Sequence, residues 1–161
     1  MKKRLALLQM DVHVNDVEYN YNRVQELLTQ SLTENPDIIV LPETWNTGFY
    51  PSTDLINIAD NNGDRTKALL SAFTKEHNVN IVGGSVAVSK DDLVFNTSYA
   101  YNREGTLVGE YSKMHGFSPA KEDKYFASGT HTTHFELDGI PCSTVICYDI
   151  RFPELVRMAA L

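Results

Sequence analysis

An unbroken apolar run rich in β-branched residues, Ile38-Ile39-Val40-Leu41, follows an amphipathic stretch and an earlier apolar run at residues 4–10. That order constrains the chain more than any other feature. Apolar runs without polar alternation are expected of strands covered on both faces, as parallel strands usually are. Between the two runs Val17, Tyr21, Val24, Leu28 and Ser31/Leu32 recur at helical spacing, which predicts a helix of about four turns. Asn15 with Glu18 three positions on is a capping-box arrangement, and Asn35-Pro36-Asp37 stops the helix. Strand, helix, parallel strand is a βαβ unit, so the fold class is α/β. Its ligand sites are expected beyond the carboxyl ends of the strands. Glu43, in Pro42-Glu43-Thr44-Trp45, stands at that edge.

Residues 46–63 read as a long irregular loop able to wall a pocket. Asp64 is expected to cap a second helix to about His77, with Ala68, Leu69, Ala72 and Phe73 inward. Residues 80–89 read as one strand, in which Gly83-Gly84 marks a bulge or a close backbone approach. Residues 93–102 and 106–111 flank Arg103-Glu104-Gly105 as a hairpin. Residues 135–137 and 140–146 form another about Asp138-Gly139. A last helix starts near Pro153, with Leu155, Val156, Met158 and Ala159 on one side. It reaches Leu161 without a glycine or polar cap, which predicts a chain cut inside an element. No repeat or linker interrupts the sequence, so residues 1–161 are expected to form one domain.

Charge narrows the function classes. Lys+Arg number 14 against 21 Asp+Glu, a net charge of -7, and no basic stripe is present, which argues against nucleic acid as a partner. No apolar run is long enough to span a bilayer. The apolar residues after the basic Met1-Lys2-Lys3-Arg4 are too few for a signal-peptide core, so a cytoplasmic location is expected. Cys142 and Cys147 lie on what reads as one strand, roughly 16 Å apart when extended. A disulfide needs Cα atoms within about 7 Å, so both are expected to be free thiols. His131 and His134 lack a third ligand at suitable spacing and read as surface histidines. The Asn96-Thr97-Ser98 sequon has no consequence without secretion.

Cys147 ends an apolar run and is followed by a polar turn and Pro153, a residue suited to the first helical position. Strand, sharp turn and helix start hold a nucleophile out of the core beside backbone N–H donors. A lone cysteine is more often an inert buried thiol, so the other segments decide. Leu41-Pro42-Glu43, Gly109-Glu110-Tyr111-Ser112-Lys113-Met114-His115 and Cys147-Tyr148-Asp149-Ile150-Arg151-Phe152-Pro153-Glu154-Leu155 stand in that order. Together they resemble the glutamate, lysine and cysteine segments of the nitrilase superfamily of carbon–nitrogen hydrolases. The wording after the cysteine, with residues 117–126, is similar to the Nit-type, ω-amidase-like branch.

The resemblance implies an α-β-β-α sandwich, here incomplete at the C-terminus, and hydrolysis of a non-peptide carbon–nitrogen bond in a small carboxyamide. It implies no cofactor or metal, a small-molecule amide as substrate, no membrane partner, and a homodimer in the full-length family. Cys147 would be the nucleophile that forms a thioester, Glu43 the proton acceptor and donor, and Lys113 the cation favouring thiolate and oxyanion. The Tyr148 N–H would be a second oxyanion donor. Glu122 resembles a further family acid that orients the lysine or substrate, with Asp123 adjoining it as the competing choice. His115 offers a papain-like Cys–His alternative but ranks as pocket structure, and Trp45 as core before pocket lining. The competing function is a catalytically dead fragment acting only through self-association or partner binding.

Overall fold

The apolar pattern yields its βαβ unit. β1 (Leu5–Leu7) and β2 (Ile38–Val40) pair in parallel with Leu5 opposite Ile38, and α1 (Val17–Ser31) crosses between them. The computed structural model describes residues 2–49 and 54–160. Next come α2 (Leu55–Ile58), β3 (Asp60–Asn61), α3 (Asp64–His77), β4 (Asn80–Val82), β5 (Val86–Lys90), β6 (Leu93–Tyr101) and β7 (Leu107–Ser112). The hairpin β8 (His134–Leu137) with β9 (Ile140–Ser143) leads, through a 3₁₀ turn at Cys147–Arg151, to α4 (Pro153–Ala160). Among the described residues seven strands form one sheet, ordered β1-β2-β4-β6-β5-β3, with β7 paired to β6.

Helices α1 and α3 cover one face of that sheet. Tyr21, Val24 and Leu28 of α1 and Leu70 and Phe73 of α3 meet Ile39, Ile81 and Tyr101, which share a face by register. Burying each such side chain contributes about 1.5–3 kcal/mol. The β8–β9 hairpin lies on the opposite face, where a Cβ on Gly109 would meet the Phe135 ring at 2.6 Å. Its turn is tied down by Asp138, which accepts from Lys3 Nζ, Arg103 Nε and Arg103 Nη2, each at 2.8 Å. The α1–α3 layer, sheet and hairpin thus stack in α-β-β order. Among the described residues no helix is long and apolar enough to cross a membrane.

Several expectations are corrected. Strand β1 is not covered on both faces: Leu5 is 56% and Leu7 69% exposed, because β1 is an edge strand and the hairpin's turn reaches only as far as Lys3. The α1 cap is Asp16, which accepts from the Tyr19 N–H at 3.1 Å, while Asn15 is itself left-handed at φ 62°. Glu18 instead pairs with Arg65 of α3. In α3 the inner residues are Thr66, Leu70, Phe73 and Thr74, and Ala68 and Ala72 are exposed. The cause is a polar cluster. Asp60 accepts from the Arg65 and Thr66 N–H groups at 3.1 and 2.8 Å, and Tyr21 Oη meets Thr66 Oγ1 at 2.7 Å, drawing Thr66 inward.

Residues 46–63 are less irregular than expected, since α2 and β3 fall within them and Asn46, Thr47 and Gly48 are buried; residues 50–53 lie outside the described residues. The strand over 80–89 is two, broken at residues 83–85. On α4 only Leu155 is buried, with Val156 and Met158 exposed.

Candidate active site

The break between β4 and β5 places Glu43. Gly84 has φ +59°, and a Cβ there would lie 2.0 Å from the Pro42 carbonyl oxygen. Only glycine permits that approach. The Pro42–Trp45 segment is then laced to it: Ser85 N–H donates to Pro42 O (3.0 Å), Trp45 N–H to Ser85 O (3.1 Å), and Thr44 N–H to Ser85 Oγ (3.0 Å). Trp45 is fully buried with its indole N–H on Gly83 O at 2.9 Å, so it is core. Glu43 alone of this segment's polar side chains reaches outward, 20% exposed.

Lys113 follows β7 directly. Its N–H continues the ladder to Asn96 O at 2.9 Å, and its carbonyl accepts from Gly129 N–H at 2.9 Å. The ammonium is 2% exposed and donates to Glu43 Oε1 (2.8 Å), Glu122 Oε1 (2.9 Å) and Glu122 Oε2 (2.8 Å). All three of its hydrogens are thereby committed. Burial works against the ammonium, but the hydrogen bonds to Glu122 and then Glu43 outweigh it and hold the Lys113 pKa above its ordinary value.

Glu122 is 2% exposed and takes the Phe117 N–H at 2.8 Å. It lies in the 3₁₀ turn Glu122–Lys124 after left-handed Lys121 (φ 59°), which turns Glu122 inward and leaves Asp123 exposed. Of the two adjacent acids, Glu122 is the one beside the lysine.

Cys147 sits at an exposed, sharply bent position with φ +48°. For a residue with a Cβ this left-handed backbone costs about 1–2 kcal/mol, and it turns the thiol away from the core. The thiol lies near enough to Glu43 and Lys113 for both charges to act on it. Its pKa is raised by partial burial of the sulfur, then by the nearby Glu43 carboxylate, against an opposing pull from Lys113. The resting group is therefore a thiol beside a carboxylate, not the thiolate that Lys113 alone would favour. Four side chains thus gather at one point: Lys113 is hydrogen-bonded to Glu43 and to Glu122, and the Cys147 sulfur stands near Glu43.

Asn96 is the member that sequence reasoning missed. Its Nδ2 donates to Glu43 Oε1 at 3.0 Å and Glu122 Oε1 at 3.1 Å, bridging the two carboxylates. It is 1% exposed, which also removes the sequon from any surface role. The signal was there: Asn96-Thr97-Ser98 interrupts an otherwise apolar and aromatic strand, Leu93–Tyr101.

The remaining candidates fall around this cluster. Tyr148 is half-buried in the Cys147–Arg151 turn, its ring 5.1 Å from Phe117. His115 is paired to Asp149 through Nδ1 at 2.9 Å. His131 and His134 are exposed, and among the described residues no group of three or more His, Cys, Asp or Glu is arranged to hold a metal ion. Cys142 and Cys147 are free. The arrangement can do nucleophilic acyl chemistry: an outward sulfur, a carboxylate able to take its proton, and a fixed positive charge within reach of both.

The sequence matches the Carbon-nitrogen hydrolase family over residues 4–161. A 2-oxoglutaramate amidase of Bacillus subtilis (strain 168) is 40% identical over 157 residues, covering 98% of this chain and 60% of that protein. The omega-amidase NIT2 of Danio rerio is 30% identical over 171 residues, covering 99% of this chain and 59% of that one. The crystal structure of Saccharomyces cerevisiae Nit3, a member of branch 10 of the nitrilase superfamily, superposes with a TM-score of 0.84 at 27% identity, covering 98% of this chain and 60% of its own. The chain spans about 60% of the length of these two curated relatives. With a sheet of that superfamily's form carrying all three motif segments to one point, the chain belongs to the carbon-nitrogen hydrolase family.

Proposed function

We propose that Cys147, Glu43 and Lys113 hydrolyse a small carboxyamide to its acid and ammonia, in the manner of an ω-amidase. The observation that carries this reading is the exposed Cys147, on its left-handed turn, beside a carboxylate that is itself held by Lys113 at 2.8 Å. Glu43 takes the thiol proton as sulfur attacks the amide carbonyl carbon. The resulting oxyanion is stabilised by the Tyr148 N–H and by the Lys113 charge, whose hydrogens stay on the two glutamates. Collapse breaks the C–N bond, and the leaving nitrogen departs as ammonia with the proton from Glu43. A thioester remains on Cys147. Glu43 then deprotonates water, hydroxide attacks the thioester, the acid leaves, and the proton returns to sulfur. Glu122 and Asn96 keep Lys113 and Glu43 in register throughout.

Similarity to a 2-oxoglutaramate amidase and an omega-amidase supports α-keto acid amides, related to glutamine and asparagine, as the substrates to test first. Ammonia release should be lost in Cys147→Ala and fall by about 10²–10⁴-fold in Glu43→Gln, the usual worth of a general base. Normal turnover in Cys147→Ala would refute the reading. A second reading, a chain that acts only through self-association, draws on the outward Leu5 and Leu7. It predicts oligomers on size-exclusion chromatography with no ammonia released from any of these amides.

A further inference from the structure

We propose that Asp149 is the positioning residue that fixes Cys147 relative to Lys113 and Glu43; the inference rests on Cys147 being the reacting nucleophile. Asp149 is fully buried, and its carboxylate accepts four hydrogen bonds from three places in the chain. Oδ1 takes the His115 N–H at 3.0 Å and His115 Nδ1 at 2.9 Å; Oδ2 takes the Tyr111 hydroxyl at 2.6 Å and the Ile146 N–H at 3.1 Å. A carboxylate has about four acceptor positions, and all are used.

The donors are placed tellingly. Tyr111 and His115 stand two residues before and two after Lys113, and Ile146 immediately precedes Cys147. One side chain therefore grips the lysine segment on both sides and the cysteine turn at its entry. The turn needs such a grip, because a left-handed Cys147 persists only where its surroundings over-determine it. Asp149 closes the turn through its backbone as well: its N–H donates to Ile146 O, and its carbonyl accepts from the Phe152 N–H, both at 3.0 Å. The His115 ring is stacked on Phe152 at 3.6 Å, with Nδ1 against Asp149 Oδ1. Tyr111 stays a donor, its pKa raised by burial and then by the hydrogen bond to Asp149.

Asp149→Asn keeps the shape but puts an NH₂ against two donors on one side or the other. The readout is the pH dependence of Cys147 alkylation by iodoacetamide, followed by mass spectrometry with Cys142 as the internal reference. In the native background Glu43→Gln should move the Cys147 profile to lower pH, because a neighbouring negative charge is removed. In Asp149→Asn that response should shrink several-fold, and kcat should fall with KM little changed. Tyr111→Phe, which deletes one donor and keeps the carboxylate, should shift both in the same sense by less, and it decides the matter if Asp149→Asn does not fold. The proposal is overturned if Glu43→Gln leaves the native profile unmoved. It is also overturned if the variants lower Tm while the Glu43 response and kcat stay native. Intact Cys147–Glu43 coupling without ammonia release from any amide would instead sink the proposed activity and leave the positioning role standing.

Discussion

Replacing Lys113 by methionine tests the electrostatics of the site with little change of volume. In the native protein the ammonium faces two carboxylates through three hydrogen bonds of 2.8–2.9 Å, with Glu122 only 2% and Glu43 20% exposed. Removing one partner of a buried pair leaves the other charge uncompensated, which costs about 3–5 kcal/mol. For a domain of this size each kcal/mol moves Tm by about 2–4 °C, so Lys113→Met should melt roughly 6–20 °C lower. Urea denaturation monitored by tryptophan fluorescence gives the free energy, with an unchanged m-value required for the comparison. The deciding variant is the double one. If the cost is a stranded carboxylate, Lys113→Met/Glu122→Gln should be more stable than Lys113→Met alone, since the neutral amide still accepts from Phe117 N–H. A single variant within 1 kcal/mol of native, or a double variant less stable than the single, would refute the reasoning.

The backbone at Cys147 supplies a second expectation. Cys147→Ala and Cys147→Gly should both be inactive, but the glycine variant should be the more stable of the two by about 1 kcal/mol, because only glycine takes φ +48° without a Cβ penalty. Equal stability in urea would show that the turn is unstrained. A third concerns the hairpin anchor. The Arg103 hydrogen bonds, followed by burial working the other way and then Lys3, hold the Asp138 carboxyl well below the usual carboxylate range. A depressed folded-state pKa contributes stability above the unfolded value of about 4 and loses it as pH falls further. Asp138→Asn should therefore cost about 1 kcal/mol at pH 7, allowing for solvent screening, and progressively less below pH 4. A difference that stays constant from pH 7 to pH 2 would contradict the assignment.

The βαβ start was legible because apolar runs and a helical period are direct consequences of burial on a parallel sheet. The catalytic types were legible because each closes a strand: Glu43 after β2, Lys113 after β7, Cys147 after the β8–β9 hairpin. Less legible was everything that depends on what lies across from a residue. Residues 4–10 have the composition of an interior strand, yet composition cannot say that β1 sits at an edge with Leu5 and Leu7 bare. The inner face of α3 turned on Asp60, just before the helix, and on Tyr21, remote in sequence, drawing Thr66 inward. Asn96 and Asp149 escaped notice for the same reason, since their importance lies in partners 26 to 53 positions away, and a polar residue in a strand or turn carries no label of its own. The choice between Glu122 and Asp123 needed the left-handed Lys121 that turns one of them inward.

The central claim is that amide hydrolysis passes through sulfur at Cys147 with Glu43 as its proton partner. The direct measurement is intact-protein and peptide mass spectrometry of samples quenched in acid during turnover of 2-oxoglutaramate. An acyl group on the Cys147 peptide, absent from Cys142 and from Cys147→Ser, and accumulating in Glu43→Gln if water attack becomes limiting, is the expected result. Ammonia released at the native rate by the Cys147→Ser variant, with no acyl group carried on Cys147 in the native chain, would contradict the account.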